Sequence, residues 1–343
     1  MNIVYGISGE GLGHVFEGIE IISLLQRDGH TVKVLTYGER ALNLLQPFSP
    51  THIGGIHLEM TPRGFSLWST VVGNIHLAGF YIKNWGKLKK ELADFKPDVF
   101  ITAYEPYTTL VSHVFRKPLI SIDNQNELLH INKPAGVSWF DFKLVQWSTR
   151  ICTWGASHYI IKSFNKNNKS TSNRYFVSPI IQRDTRVAQT TVGSHIFVYL
   201  TKPNPSLIEI LKGMPEHFIV YSNNKVGNEG NLVYRAAGGA RYLEDLRTCK
   251  AIIGTTGFSL IADALFLKKP YFGVPLKKQF EQIYNAHFLK NYGIGEFSTD
   301  VSRKDLDSFL NNLLTYRAHL EKYNFNPQEQ EEALRKILTT VSV

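Results

Sequence analysis

A chain of 343 residues is longer than one ordinary domain and suits two, each large enough to bury a core of its own. Apolar residues at 43% against 20% charged exclude a disordered or fibrous chain, and two widely spaced cysteines, Cys152 and Cys249, exclude a disulfide framework. A formal charge of +9 implies attraction to something anionic: a nucleotide diphosphate, a phospholipid surface or nucleic acid.

Residues 2–7 read as a strand, 9–13 as a glycine turn and 15–28 as a helix, with Ile19, Ile22 and Leu25 at helical spacing. Strand 31–36, helix 83–95 and strands 98–102 and 119–123 follow, the last running into Asn124, Gln125 and Asn126. Strand-length apolar segments alternating with amphipathic helices predict a parallel α/β sheet, whose ligands bind at the carboxyl ends of the strands. The polar stretch 166–174 reads as an exposed loop or linker, and the halves are expected to divide near it. The pattern then repeats, with strands at 195–200, 218–222, 232–235 and 251–253 and helices at 206–212 and 242–249. Thr256-Gly257 turns into a helix over 258–267, Pro270 ends it, and strand 271–274 and helix 280–291 follow. Residues 303–340 look helical. The expected fold is α/β, two doubly wound domains facing a cleft, at 1–170 and 175–320. A closing helix in 321–343 is expected to pack back on the first of them.

The turn Ser8-Gly9-Glu10-Gly11-Leu12-Gly13-His14 lies between a strand and a helix, where Gly11 and Gly13 allow a ligand to approach backbone N–H groups closely. Such turns occur throughout doubly wound folds. This one is not the dinucleotide fingerprint, because Thr36 and Tyr37 stand where an acid would end the second strand. An imidazole at position 14, in the first helical turn, has its pKa drawn down by the helix N-terminus and accepts a proton near pH 7. That suits a general base acting on an acceptor hydroxyl; capping the helix is its plainer role.

The most specific stretch spans 252–297, with Ile-Ile-Gly-Thr-Thr-Gly-Phe-Ser-Leu-Ile-Ala-Asp-Ala-Leu, then Lys-Lys-Pro, Val-Pro, Glu-Gln-Ile-Tyr-Asn-Ala and Tyr-Gly-Ile-Gly. Together with Gly-Leu-Gly-His-Val-Phe near the start, it resembles the GT-B glycosyltransferases. The nearest groups are the lipid-linked N-acetylglucosaminyltransferase of peptidoglycan synthesis and related, poorly characterised microbial transferases. The resemblance spans nearly the whole chain and implies two Rossmann-like domains, the first binding the acceptor and the second a nucleotide-sugar donor. By that resemblance Gly257 opens a helix whose free N–H groups hold a diphosphate, with Thr255, Thr256, Phe258 and Ser259 around it. Asp263 would take the ribose hydroxyls, Glu281, Gln282 and Asn285 the donor sugar, and backbone groups of Tyr242 and Leu243 the nucleobase. The chain departs from the pattern at Glu17, where relatives carry Arg, and near Pro179, where only Arg183 stands close. Lys202 is a second candidate phosphate partner.

Glu105 and Asp123, at strand ends, are expected to line the acceptor side, as a base or as helpers of His14; turn chemistry accounts equally for Asp123 and Asn124. The segment 63–85 mixes Arg63, Phe65, Trp68, Phe80, Tyr81, Lys83 and Trp85, as an acceptor-binding or membrane-facing element does; a core helix reads equally well. The expected reaction is transfer of a sugar, with inversion, from a UDP- or dTDP-sugar to a hydroxyl of a glycan, lipid-linked or small-molecule acceptor. No cofactor and no metal are expected beyond the donor co-substrate, since no Asp-x-Asp pair ends a strand. Epimerisation or hydrolysis of a nucleotide sugar, and sugar-nucleotide binding without turnover, are the alternatives. A nucleic-acid partner is not expected, for want of a clustered basic run. The first strand starts without a secretion signal and no apolar run approaches the ~20 residues of a membrane span. A cytoplasmic protein is therefore expected, with peripheral contact to the anionic inner face of the cell membrane.

Overall fold

The computed structural model describes residues 1–9, 11–55, 60–61, 64–65, 74, 76–133, 138–222, 225–236, 238–277 and 279–341. They divide into two compact units, Met1–Ile180 with Pro327–Val343, and Ile181–Asn326.

The first unit opens with β1 (Asn2–Ile7), α1 (Leu12–Arg27), β2 (Thr31–Thr36), α2 (Glu39–Leu45) and β3 (Thr51–His52). A short antiparallel pair, β4 (Met60–Thr61) and β5 (Gly64–Phe65), precedes α3 (His76–Phe95) and β6 (Val99–Ala103). Then come α4 (Pro106–Phe115), β7 (Leu119–Asp123), α5 (Trp139–Cys152), β8 (His158–Lys162) and β9 (Arg174–Val177). The sheet order is β3-β2-β1-β6-β7-β8-β9, with every pairing parallel. Strands buried on both faces need unbroken apolar runs, and β6, Val-Phe-Ile-Thr-Ala, is buried at all five positions.

Two details differ from the reading of the sequence. Helix α3 begins at His76, two turns before the expected start at residue 83. Leu77, Tyr81, Trp85, Leu88 and Leu92 recur at helical spacing and meet one core cluster, apart from Leu77, which is buried nearby. The polar stretch 166–174 joins β8 to β9 within the first unit, and the units divide at Ile180. A solvated loop has the same composition whether it joins strands or domains.

The second unit runs α6 (Arg183–Val187), β10 (Ile196–Tyr199), α7 (Pro205–Lys212), β11 (Phe218–Tyr221), β12 (Gly227–Glu229), β13 (Leu232–Arg235), α8 (Ala240–Thr248) and β14 (Ala251–Gly254). It continues with α9 (Phe258–Phe266), β15 (Tyr271–Gly273), α10 (Phe280–Asn291), β16 (Gly295–Phe297), α11 (Arg303–Asn311) and α12 (Leu313–Lys322). Its sheet is β12-β13-β11-β10-β14-β15-β16, parallel except for the β12 edge. The chain then returns to the first unit as α13 (Glu329–Val341), which places Ala333, Leu334, Ile337 and Leu338 among the β1 and α1 core residues.

Candidate functional site

The parallel strands of each sheet reverse their order once, between β1 and β6 in the first unit and between β10 and β14 in the second. Ligands of open α/β sheets bind outside the carboxyl ends of the strands at such switch points. The glycine turn with His14 follows β1, and Tyr104 and Glu105 follow β6. In the second unit Thr201 and Lys202 follow β10, and Thr255–Gly257 follows β14.

In the first unit, α1 begins after Gly11, whose φ of 82° lies in the left-handed region open to glycine. Gly9 is packed so closely that a Cβ would lie 1.9 Å from the Tyr37 carbonyl oxygen. Gly13 is exposed in the first turn, where His14 is half-buried and stacks on Tyr104, with ring centroids 6.3 Å apart and planes 8° apart. The Nδ1 of His14 is closed off from solvent and has no hydrogen-bond partner among the described residues. Enclosure, then the Lys162 ammonium, hold its pKa down to about 3. The ring is therefore neutral at physiological pH, held so by burial and the Lys162 charge, and with its pKa at about 3 it is a weaker base than the expected acceptor of a proton near pH 7.

Beneath it lies a buried polar network. Lys162, ending β8, is paired with Glu17 one turn beyond His14. Gln330 of α13 donates to the other Glu17 oxygen at 2.6 Å, and its own oxygen accepts from the Ile180 amide at 2.9 Å. Glu17, the departure from the family pattern, is thus a core ion-pair partner. Asp123 accepts from Ser121 Oγ at 2.8 Å, the Asn126 amide at 2.7 Å and Asn126 Nδ2 at 2.9 Å. Burial nevertheless raises it to about 6, against the pull of Lys162. Both oxygens of Glu105 are occupied by amides, Tyr107 at 2.9 Å and Thr108 at 2.5 Å, so this carboxylate caps α4. The Glu105-Pro106 pair is a helix-start signal that the sequence already carries. Of the aromatic segment, Arg63 and Trp68 lie outside the described residues, as does the Phe65 side chain. Tyr81 stacks on Tyr107 at 4.2 Å and donates to the Gly54 carbonyl, and Trp85 packs against the same core.

In the second unit, Gly257 is the N-cap of α9 with φ −69° and ψ 143°, a conformation open to any residue, and a Cβ there would meet nothing within 4 Å. Neither backbone nor packing requires this glycine, and it leaves space in front of the N-terminus of α9. Ser259 is exposed in the first turn and Phe258 half-buried. The hydroxyls of Thr255 and Thr201 stand 3.4 Å apart, with Lys202 exposed next to Thr201. The Thr256 hydroxyl donates to the Gln282 carbonyl at 2.7 Å, and Asn285 Nδ2 to the Thr256 carbonyl at 3.0 Å. Gln282 Oε1 accepts from the Leu276 amide at 2.9 Å. Gln282 and Asn285 therefore brace the turn, and Glu281 stands half-exposed on the first turn of α10. Asp263, one turn into α9, is raised to about 7 by burial. The Tyr242 ring is enclosed edge-on by Phe197 at 5.0 Å, Tyr221 at 4.8 Å and Tyr199 at 6.0 Å. Its amide donates to Gly239, while Leu243 follows in the first turns of α8.

Sequence reasoning missed Tyr104, Lys162 and Gln330. Tyr104 sits at φ 56°, and the other two gain meaning only through partners 145 and 313 residues away.

A model of "Glycosyl transferase family 1" matches residues 1–314. An uncharacterized glycosyltransferase of Methanosarcina acetivorans is 29% identical over 138 residues, which is 40% of this chain and 36% of that protein. The match therefore spans about a third of that relative's length. Among solved structures, the spinosyn rhamnosyltransferase SpnG complexed with thymidine diphosphate is similar with a TM-score of 0.64 at 13% identity, covering 99% of this chain and 100% of that one. The same enzyme with spinosyn aglycone scores 0.64 at 14%, covering 98% and 99%. MurG of Acinetobacter baumannii scores 0.61 at 15%, covering 98% and 99%.

Proposed function

The chain belongs to the glycosyl transferase family 1 with the GT-B fold, and from that premise we propose that it transfers a sugar from a nucleoside-diphosphate donor to an acceptor hydroxyl. The observation that carries this reading is Gly257, a glycine required neither by its backbone nor by its neighbours, at the N-terminus of α9 beside the switch point of its sheet. A helix N-terminus with open space before it suits a diphosphate. Thymidine diphosphate in a structure of similar fold supports a UDP or dTDP donor.

Asp263 is the candidate for the ribose hydroxyls, Glu281 for the donor sugar, and Lys202 and the Thr255 hydroxyl for phosphate oxygens. Stabilising the departing diphosphate lowers the barrier because its charge develops as the glycosidic bond breaks. His14 is the candidate base: neutral and stacked on Tyr104, it takes the proton of the attacking hydroxyl. Asp123 is the candidate to offset the positive charge the ring then gains. A direct displacement of this kind inverts the anomeric centre. Calorimetry with UDP and dTDP tests the donor half, and product analysis with a panel of nucleotide sugars tests the transfer. Failure of every nucleoside diphosphate to bind at millimolar concentration would sink the reading.

A further inference from the structure

We propose that the outward face of α5, with the adjoining edge of α4, is a docking surface for an anionic lipid membrane. The inward side of α5 is settled: Phe142, Gln146, Thr149 and Cys152 are buried, and Gln146 donates to the Leu128 carbonyl at 2.8 Å. The outward side carries Trp139, Phe140, Trp147 and Ile151, with Trp154 just beyond the helix, and Phe140 is 76% exposed. His113 ties Trp154 to α4, where Leu110 and Val114 are also exposed. Seven of the twelve exposed large apolar side chains among the described residues gather here. Soluble monomers do not scatter their exposed aromatics in that way.

The charge on this face selects the partner. Lys143 stands 5.9 Å over the Trp139 ring, Arg150 lies between Trp147 and Ile151, and Arg116 and Lys117 are exposed at the end of α4. Of the acidic residues between 105 and 157, Glu105, Asp123 and Glu127 are buried, and the Asp141 side chain lies outside the described residues. Tryptophans at headgroup depth with cations reaching the phosphates are the chemistry of an interfacial helix. No helix of the described residues is long and apolar enough to cross a membrane, so α5 lies on the surface. A second copy fits less well, because an isologous contact pairs this patch with itself and offers Lys143 and Arg150 no acidic partner among the described side chains. On its inward side Ser148 meets the Tyr104 hydroxyl at 3.0 Å, and Tyr104 stacks on His14. The docked helix is thereby joined to the candidate base.

The test is flotation of the full chain with phosphatidylcholine vesicles, with and without phosphatidylglycerol, together with quenching of tryptophan fluorescence by brominated lipid. Binding should require the anionic lipid, weaken with salt, and fall at least ~10-fold in the Lys143→Glu/Arg150→Glu and Phe140→Ala/Trp147→Ala variants. All four side chains are exposed, so the melting temperature should hold. Absence of vesicle binding, equal binding to neutral vesicles, or wild-type binding by both variants overturns the proposal. So does self-association of the wild type, seen in sedimentation velocity without vesicle binding and lost in Phe140→Ala/Trp147→Ala. Donor binding does not enter the measurement, so its outcome is independent of the transferase reading.

Discussion

A half-buried imidazole whose Nδ1 is closed off from water and which lies near an ammonium group resists protonation, and both effects bring His14 down to about 3. Its titration therefore lies well below the range in which the enzyme works, and turnover should show no acid limb from it between pH 5 and 8. His14→Ala should lower turnover ~10²–10⁴-fold, the usual loss for a general base, while calorimetric affinity for the nucleotide is unchanged. Near-wild-type turnover would make the ring structural. Gly257 allows a test with opposite signs. Gly257→Asp supplies a better N-cap and a charge that favours the helix dipole, so stability should rise by about 0.3–1 kcal/mol. The same carboxylate should abolish diphosphate binding, and retained binding would move the phosphate elsewhere. Asp263 adds a pH signature. Its carboxyl is raised from 3.8 to about 7, so between those values the folded chain keeps a proton that the unfolded chain releases. That stabilisation is complete below about 3.8 and is lost as pH rises through about 7. Asp263→Asn is neutral throughout, so its melting temperature relative to wild type should climb from pH 5 to pH 8. A difference independent of pH would show that the carboxyl is not buried in solution.

At the level of elements, the polar network under α1 ties three segments together: α1 through Glu17, β8 through Lys162 and α13 through Gln330. Lys162→Met leaves Glu17 as a buried carboxylate without its cation and should cost ~3–5 kcal/mol in urea denaturation. Adding Glu17→Gln removes the stranded charge and should recover most of that loss, because a buried pair gains little net energy over a neutral replacement. Equal destabilisation of the single and double variants would show that the pair contributes by packing alone. The cap on α4 follows a related rule. Glu105 is held by two helix amides, which explains why an acid at a strand end does not face the acceptor.

Over the whole chain, the first unit is assembled from both ends, since α13 lends Ala333, Leu334, Ile337 and Leu338 to a core built on β1 and α1. Truncation after Asn326 strips that core and should abolish the cooperative melting of the first unit, measured calorimetrically; an unchanged transition would mean that α13 only decorates it. Both doubly wound sheets and most of their strands were legible beforehand, because a strand buried on both faces must be apolar along its length, as 3–7, 218–221 and 251–253 are. The Gly-Thr-Thr-Gly turn was legible because backbone chemistry at a helix start is local. The sequence alone determined the fold class, the family resemblance and the small set of residues placed at strand ends. Only the tertiary structure decided which of those groups are tied up, as Glu105 and Gln282 are, and which distant partners lie around His14. Burial and pairing depend on residues up to hundreds of positions apart, and no local pattern encodes that distance.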